Sequence, residues 1–398
     1  MGWPATMRRG ALLASTVASV VGATSACRSG RSDESAARLD APPGGDDRRI
    51  GSQTGTRPDV ATANVRGGPD DITPDDVALL EHTTAVAYQR SFPDGAIDAW
   101  HERVPQAEVV RIPSSIDGEM QSAIWYDSGS AQHRPLLVAL HSWSADYEQN
   151  LDIPFAEFAV ENDWVFMHPD FRGPNLRPQA TASELAVQDV IDAVSFAHHQ
   201  TAVDPSRIYL VGYSGGAMKA LVLAGRHPHL WAGVAAWGGI YDIVDWYGHN
   251  RGKDAHYTKT IAASCGGAPR PGTAAEVDCR ARSPRTHLAN AAGKVPVLIA
   301  HGTRDTTVPL RHALRAYDAL AAPPDRFTEA QHAFVQAHGA LPADLRRQSG
   351  AVHPVYERSG APIRLERRSG SVTLIVYEGG HDMAYNPTLR WLAEQRRR

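Results

Sequence analysis

From residue 136 onward, short unbroken apolar runs alternate with longer stretches in which apolar residues recur every three or four positions. Leu136-Leu137-Val138-Ala139-Leu140 predicts a strand covered on both faces. Trp164 to His168, Arg207 to Val211, Ala232 to Trp237, Val295 to Ala300 and Val372 to Tyr377 repeat that signal. Helical periodicity covers about 148–161, 217–224, 309–320 and 387–396. Thr181-Ala182-Ser183-Glu184 resembles a capping box and opens a further helix, with Val187, Ile191, Val194 and His198 on one face. Strands alternating with helices predict an α/β chain with a mostly parallel central sheet and helices on both faces. Two antiparallel-looking strands, Glu108 to Pro113 and Met120 to Tyr126, come first, and no internal repeat is present.

Two segments interrupt the alternation. Residues 241–288 carry several aromatics and a pair of cysteines, and are expected to lie above the strand ends as a small cap. Residues 321–370, with Pro323-Pro324 and many charges, read as a surface insertion.

The N-terminal part follows a different pattern. Arg8-Arg9, an apolar stretch from Gly10 to Ala23 and the small residues Thr24-Ser25-Ala26 before Cys27 describe an export signal. The stretch is shorter than the roughly 20 residues a spanning helix needs. Cys27 stands where a bacterial lipobox places its lipid-bearing residue, although Thr24 replaces the usual aliphatic one, and an ordinary secretory signal is the alternative. Sec and twin-arginine export both stay open. Residues 28–72 are polar and Pro/Gly-rich with almost no aromatics, which predicts a disordered tether. Thr73 and Pro74 mark a helix start, running to about Arg90. The expected protein is therefore extracytoplasmic and anchored to the membrane only by lipid.

Composition adds exclusions. A formal net charge of −4 gives no footprint for a nucleic-acid partner. Of 40 basic residues only Lys219, Lys253, Lys259 and Lys294 are lysines, a skew consistent with nucleotide composition. Cys265 and Cys279 bracket a turn-rich loop, and in an exported protein they predict a disulfide, two free thiols being the alternative. No nearby His or third Cys has ligand spacing, so no metal site is expected there, and an acyl-enzyme mechanism on a serine needs no metal or organic cofactor.

The candidate chemistry lies at strand ends. Val211-Gly212-Tyr213-Ser214-Gly215-Gly216 joins an apolar strand to a helix and has the layout of a nucleophile elbow. An activated serine needs a base, and the base needs an orienting acid. Asp305 follows the strand Val295 to Ala300, and His381 follows the strand Val372 to Tyr377. That order, at three strand ends, proposes Ser214, Asp305 and His381 as a triad, with Asp242 as the competing acid. Backbone N–H groups of Gly215 and Trp143 are the candidate oxyanion donors, the Trp143 side chain being free to pack on substrate or cap. His141 is expected to be a structural hydrogen-bonding residue rather than a second base.

These residues resemble the catalytic domain of the prolyl oligopeptidase family over about 107–396. The resemblance rests on Ser115-Ile116-Asp117-Gly118, Asp170-Phe171-Arg172-Gly173, Val203-Asp204 with Arg207-Ile208, and Gly212 to Gly216. It continues through Arg282-Ser283-Pro284, His301-Gly302 with Asp305 and Val308-Pro309, and Gly380-His381. It implies an α/β-hydrolase fold, with Ser214 as nucleophile, Asp305 orienting and His381 as base then acid. Three departures are visible. The family's propeller is absent from this chain. The oxyanion loop reads His-Ser-Trp-Ser rather than a Gly-Gly pair, and the stretch between Asp305 and His381 is expanded. The readings that follow are a serine peptidase, a carboxylesterase on acylated polysaccharide or small esters, and, from another class, a non-catalytic surface-binding lipoprotein.

Overall fold

The computed structural model describes residues 97–346, 353–358 and 360–397. The expected export signal, Cys27, the tether and the helix from Thr73 lie outside the described residues.

Among the described residues nine strands form one sheet: β1 Glu108–Pro113, β2 Met120–Tyr126, β3 Arg134–Leu140, β4 Val165–Pro169, β5 Val203–Tyr213, β6 Gly233–Trp237, β7 Val297–Gly302, β8 Ile363–Ser369 and β9 Val372–Tyr377. Their spatial order is β1-β2-β4-β3-β5-β6-β7-β9-β8. The pairs from β4 through β9 are parallel, while β1 with β2, β2 with β4, and β8 with β9 are antiparallel. This is the α/β-hydrolase arrangement, with β5 at its centre.

The apolar runs form central strands because each side of the sheet is covered. Alternate side chains point to opposite faces. Leu136, Val138, Leu140, Leu210, Val234 and Ile299 pack with Leu221 and Val222 of the helix Gly215–Arg226. Leu137, Ala139, Tyr209, Val211 and Leu298 pack with Phe155, Phe158, Leu389 and Leu392 on the other side. The Ser183 hydroxyl accepts from the Ala186 N–H and starts the helix Glu184–Gln200.

The 321–370 segment is not wholly a surface insertion. Its end forms β8, an antiparallel edge strand against β9. Arg364, Glu366 and Arg368 occupy alternate positions there, and only Leu365 and Ser369 are buried. Such an edge keeps charged side chains in water and so lacks the unbroken apolar signature of a central strand. The 241–288 segment forms the helices Ile243–Asn250, Ala255–Ser264, Ala274–Ala281 and Pro284–His287. Cys265 and Cys279 are joined by a disulfide, which ties the end of the second of these helices to the third.

Candidate active site

β5 ends at Tyr213 and the next helix starts at Gly215, so Ser214 is the single residue of the turn. Its φ of 55° and ψ of −116° lie outside the wells that side-chain-bearing residues ordinarily occupy. Glycines make this possible. A Cβ on Gly212 would strike the Gly216 backbone, and one on Gly216 would strike the Leu140 carbonyl. The resulting turn lifts the Ser214 hydroxyl toward the loops beyond β7 and β9.

Those loops deliver the other two residues. His381 Nε2 lies 2.9 Å from Ser214 Oγ, and His381 Nδ1 lies 2.7 Å from Asp305 Oδ2. The other carboxylate oxygen, Oδ1, accepts the Thr307 and Val308 N–H groups at 2.9 and 2.8 Å. Burial raises the Asp305 carboxyl. The neighbouring His381 and His301, with the Val308 N–H, outweigh it and hold the group below the ordinary carboxylate range. Asp305 is 1% exposed while His381 is 16% exposed, so the acid is sealed and the base faces the site.

Two residues that sequence reasoning passed over fix the histidine. The Tyr213 hydroxyl donates to the His381 carbonyl at 2.6 Å, and its ring lies 4.8 Å from the imidazole. Gly238, at φ +58°, leaves room for the ring: a Cβ there would sit 3.1 Å from His381 Cε1. The Gly-Gly pair after β6 was the available signal for the second. The first had none, because the partner is a backbone carbonyl far along the chain.

Asp242, the competing acid, is engaged elsewhere. It caps the helix Ile243–Asn250 through the Val244 and Asp245 N–H groups, and its second oxygen meets Arg285 at 2.8 Å and Arg280 at 3.3 Å.

The two candidate oxyanion donors are neighbours. A Cβ on Gly215 would lie 2.5 Å from the Trp143 nitrogen, which is possible only because residue 215 has none. Neither N–H donates to a protein acceptor among the described residues. The Trp143 side chain points into the cap, where its Nε1 donates to Thr260 Oγ1 at 2.9 Å and its ring meets Trp246 edge-on. Ser144 Oγ pairs with His256 Nε2 on the same cap helix at 2.8 Å. The Trp143 carbonyl accepts both the backbone and the side-chain N–H of Asn175, at 2.9 and 3.0 Å. Asn175 lies two residues past the Asp170–Gly173 motif and is not among the residues that the sequence pattern singles out.

The structure also explains why two distant motifs occur together. Arg172 is buried and bonds Asp117 through two 2.9 Å contacts and buried Asp189 at 2.6 Å. The Arg172 guanidinium holds the Asp117 carboxyl down at about 2. This cluster anchors the Asp170–Thr181 loop, where Phe171, Arg172 and Thr181 all have positive φ.

Sequence comparison agrees with this geometry. Residues 161–351 match the model of the prolyl oligopeptidase family, a stretch that contains Ser214, the cap and Asp305. NocK of Nocardia uniformis subsp. tsuyamanensis, a protein named as an esterase, is 40% identical over 62 residues, covering 16% of this chain and 17% of NocK. A puromycin-hydrolyzing peptidase of Mycobacterium tuberculosis aligns in structure at TM-score 0.47 and 16% identity, over 72% of this chain and 38% of its own. A thermostable esterase aligns at TM-score 0.44 and 14% identity, over 74% of this chain and 64% of its own. The chain thus spans about a sixth of the length of the curated relative it matches. The matched stretch runs from just before β4, across the nucleophile elbow and past Asp305, and makes just under half of the chain similar to the prolyl oligopeptidase family.

Proposed function

We propose that the protein hydrolyses a peptide or ester carbonyl through an acyl-enzyme on Ser214, with His381 as general base and acid and Asp305 as its orienting partner. The observation that carries this reading is the relay Ser214 Oγ–His381 Nε2–Asp305 Oδ2, at 2.9 and 2.7 Å. His381 Nε2 takes the hydroxyl proton as Ser214 Oγ attacks the carbonyl carbon. The Gly215 and Trp143 N–H groups receive the developing oxyanion. Collapse of the tetrahedral intermediate expels the leaving group, which takes the proton from His381 Nε2. A water then gives its proton to His381, attacks the acyl-enzyme and releases the acid, returning Ser214 to its hydroxyl form. The buried Asp305 carboxylate accepts the Nδ1–H throughout, fixing the tautomer and balancing the imidazolium.

The test is labelling by a fluorophosphonate probe. Labelling of the wild type and none of Ser214→Ala is expected, and equal labelling of both removes Ser214 as nucleophile. Two bond types remain supported by separate observations: the family match favours a peptide bond, and the relative named as an esterase favours an ester. A panel of p-nitrophenyl esters and Xaa-Pro anilides separates them by kcat/KM. Location is part of the proposal. The residues around Cys27 support export and lipid attachment, so palmitate labelling in a bacterial host should disappear in Cys27→Ala.

A further inference from the structure

We propose that Lys219 is a positioning residue for the oxyanion hole, acting through a stack formed by the Phe171 and His141 rings. The inference rests on the hydrolase reading above. Lys219 lies one turn into the helix Gly215–Arg226, whose first residue supplies one oxyanion N–H. Its Nζ sits 3.6 Å from the centroid of the Phe171 ring. The opposite neighbour of that ring is His141, stacked at 3.9 Å with the planes 8° apart. His141 is the first residue of the loop that supplies the other oxyanion N–H, from Trp143. The stack therefore spans from the helix that carries one donor to the loop that carries the other.

Three observations set this contact apart from ordinary packing. Lys219 is 1% exposed, and Nζ has no hydrogen-bond partner among the described residues. A buried amine in that state is costly, and its helix neighbours Ala217, Met218, Ala220 and Leu221 are apolar. Phe171, which receives it, is held at φ 36°, a conformation that a bulky side chain rarely adopts. The chain uses lysine at four positions among its 40 basic residues, and one of the four is buried here. A compact ammonium fits over a ring face, which binds cations through its quadrupole. Burial holds the Lys219 amine well below the ordinary lysine range, and the Asp170 and Asp189 carboxylates, which favour its charged form, offset only part of that.

His141 transmits the constraint. Burial and the nearby Lys219 keep its ring below the ordinary histidine range, so it is neutral and donates one proton. Nε2, 2.7 Å from the Asp170 carbonyl, is the better placed donor. The ring is thus held by the hydrogen bond at its edge and by the stack at its face. Both contacts come from the Asp170-Phe171 dipeptide, and Asn175 of the same loop clamps the Trp143 carbonyl.

The test uses the full-length protein and two variants, Lys219→Met, which keeps the straight chain without the charge, and Phe171→Leu, which removes the ring face. Three quantities are read: kcat and KM on a p-nitrophenyl ester, hydrogen exchange of the backbone amides in 141–149, and the thermal midpoint. Lys219→Met is expected to lower kcat about ten-fold, to leave KM within two-fold, to speed exchange in 141–149, and not to lower the midpoint. Phe171→Leu should reproduce the kcat loss, and the double variant should lose no more than Phe171→Leu alone. Unchanged kcat and loop protection in Lys219→Met overturns the proposal. So does a lowered midpoint with unchanged kcat per folded molecule, which leaves Lys219 as packing only, or additive losses in the double variant. A wild type that turns over neither ester nor anilide and is not labelled by the fluorophosphonate probe refutes the hydrolase reading instead, and the exchange measurement still decides whether the stack holds the loop.

Discussion

Gly238→Ala is a single added methyl that reaches the triad without touching any of its members' sequences. Gly238 follows β6 at φ +58°, and its N–H donates to the Ala300 carbonyl at 2.9 Å, so the backbone cannot relax freely. The new Cβ would lie 3.1 Å from His381 Cε1, 3.2 Å from Nδ1 and 3.6 Å from Asp305 Oδ2. Comfortable carbon contacts begin at about 3.5 Å, so the imidazole must yield by about half an ångström. It has little room to do so between the 2.7 Å contact to Asp305 and the 2.9 Å contact to Ser214. A misplacement of about 1 Å in a reacting group costs about 100-fold in rate, so about 10-fold in kcat is expected for half of that. The left-handed backbone separately costs a non-glycine residue about 1–2 kcal/mol of stability. For a domain of this size that lowers the thermal midpoint by about 2–4 °C per kcal/mol.

The assay is kcat and KM on a p-nitrophenyl ester beside a thermal melt. Gly248→Ala serves as the control. That glycine lies in the helix Ile243–Asn250 with nothing within 4 Å of a new Cβ, so activity should be unchanged and stability higher by up to about 1 kcal/mol. A Gly238→Ala enzyme with kcat within two-fold of wild type refutes the claim that this glycine sets the histidine.

The two candidate acids are separated by substitution: Asp305→Asn should lower kcat by about 10³–10⁴ through the wrong histidine tautomer, while Asp242→Asn should lower stability and leave kcat within a few-fold. Equal losses in kcat would undo the assignment of Asp305. Asn175→Ala removes one of the two donors to the Trp143 carbonyl, so kcat should fall by about 3–10-fold with little change in KM; a change confined to KM would place Asn175 in ground-state binding instead. Burial pushes buried His312 down to about 3, whereas the unfolded chain titrates near 6.5. Between those values the unfolded state holds a proton that the folded state lacks, so stability falls as pH drops from 6.5. His312→Gln should therefore lessen the loss between pH 7 and pH 5 by about 2 kcal/mol, read from urea midpoints. An identical loss in the variant would show that other groups carry the acid sensitivity.

What could be read from the sequence follows from how each feature is encoded. The central strands are buried on both faces, so their burial is written as unbroken apolar runs, and β3, β6 and β7 stood out. Ser214, Asp305 and His381 are legible because each lies in the turn or loop that follows such a run. β8 was missed because an edge strand carries arginine and glutamate at alternate positions, which in sequence resembles a charged loop. Tyr213 and Asn175 act through hydrogen bonds to backbone carbonyls, of His381 and Trp143. Every residue has a carbonyl, so such partners leave no trace in side-chain spacing. Gly238 was visible as half of a Gly-Gly pair, but its purpose depends on where His381 lies in space.

The unusual oxyanion loop makes sense once its two faces are separated. A glycine pair would let the backbone approach the nucleophile, but here that clearance comes from the other side, from Gly215, whose missing Cβ admits the Trp143 nitrogen. Position 143 is then free to carry a large side chain, provided it points away. The indole does so, reaching Thr260 and Trp246 of the cap while the Trp143 backbone nitrogen stays beside Gly215. Ser144 extends the same connection to His256. Trp246 in turn donates to the Thr307 carbonyl, two residues past Asp305. The cap is thereby hydrogen-bonded both to the loop that carries the proposed oxyanion donor, Trp143, and to the loop that carries Asp305. The cap, stapled by the Cys265–Cys279 disulfide, is held at both of those points. In this chain the segment expected from sequence to lie above the strand ends as a small cap is tied by hydrogen bonds to the loops on both sides of Ser214.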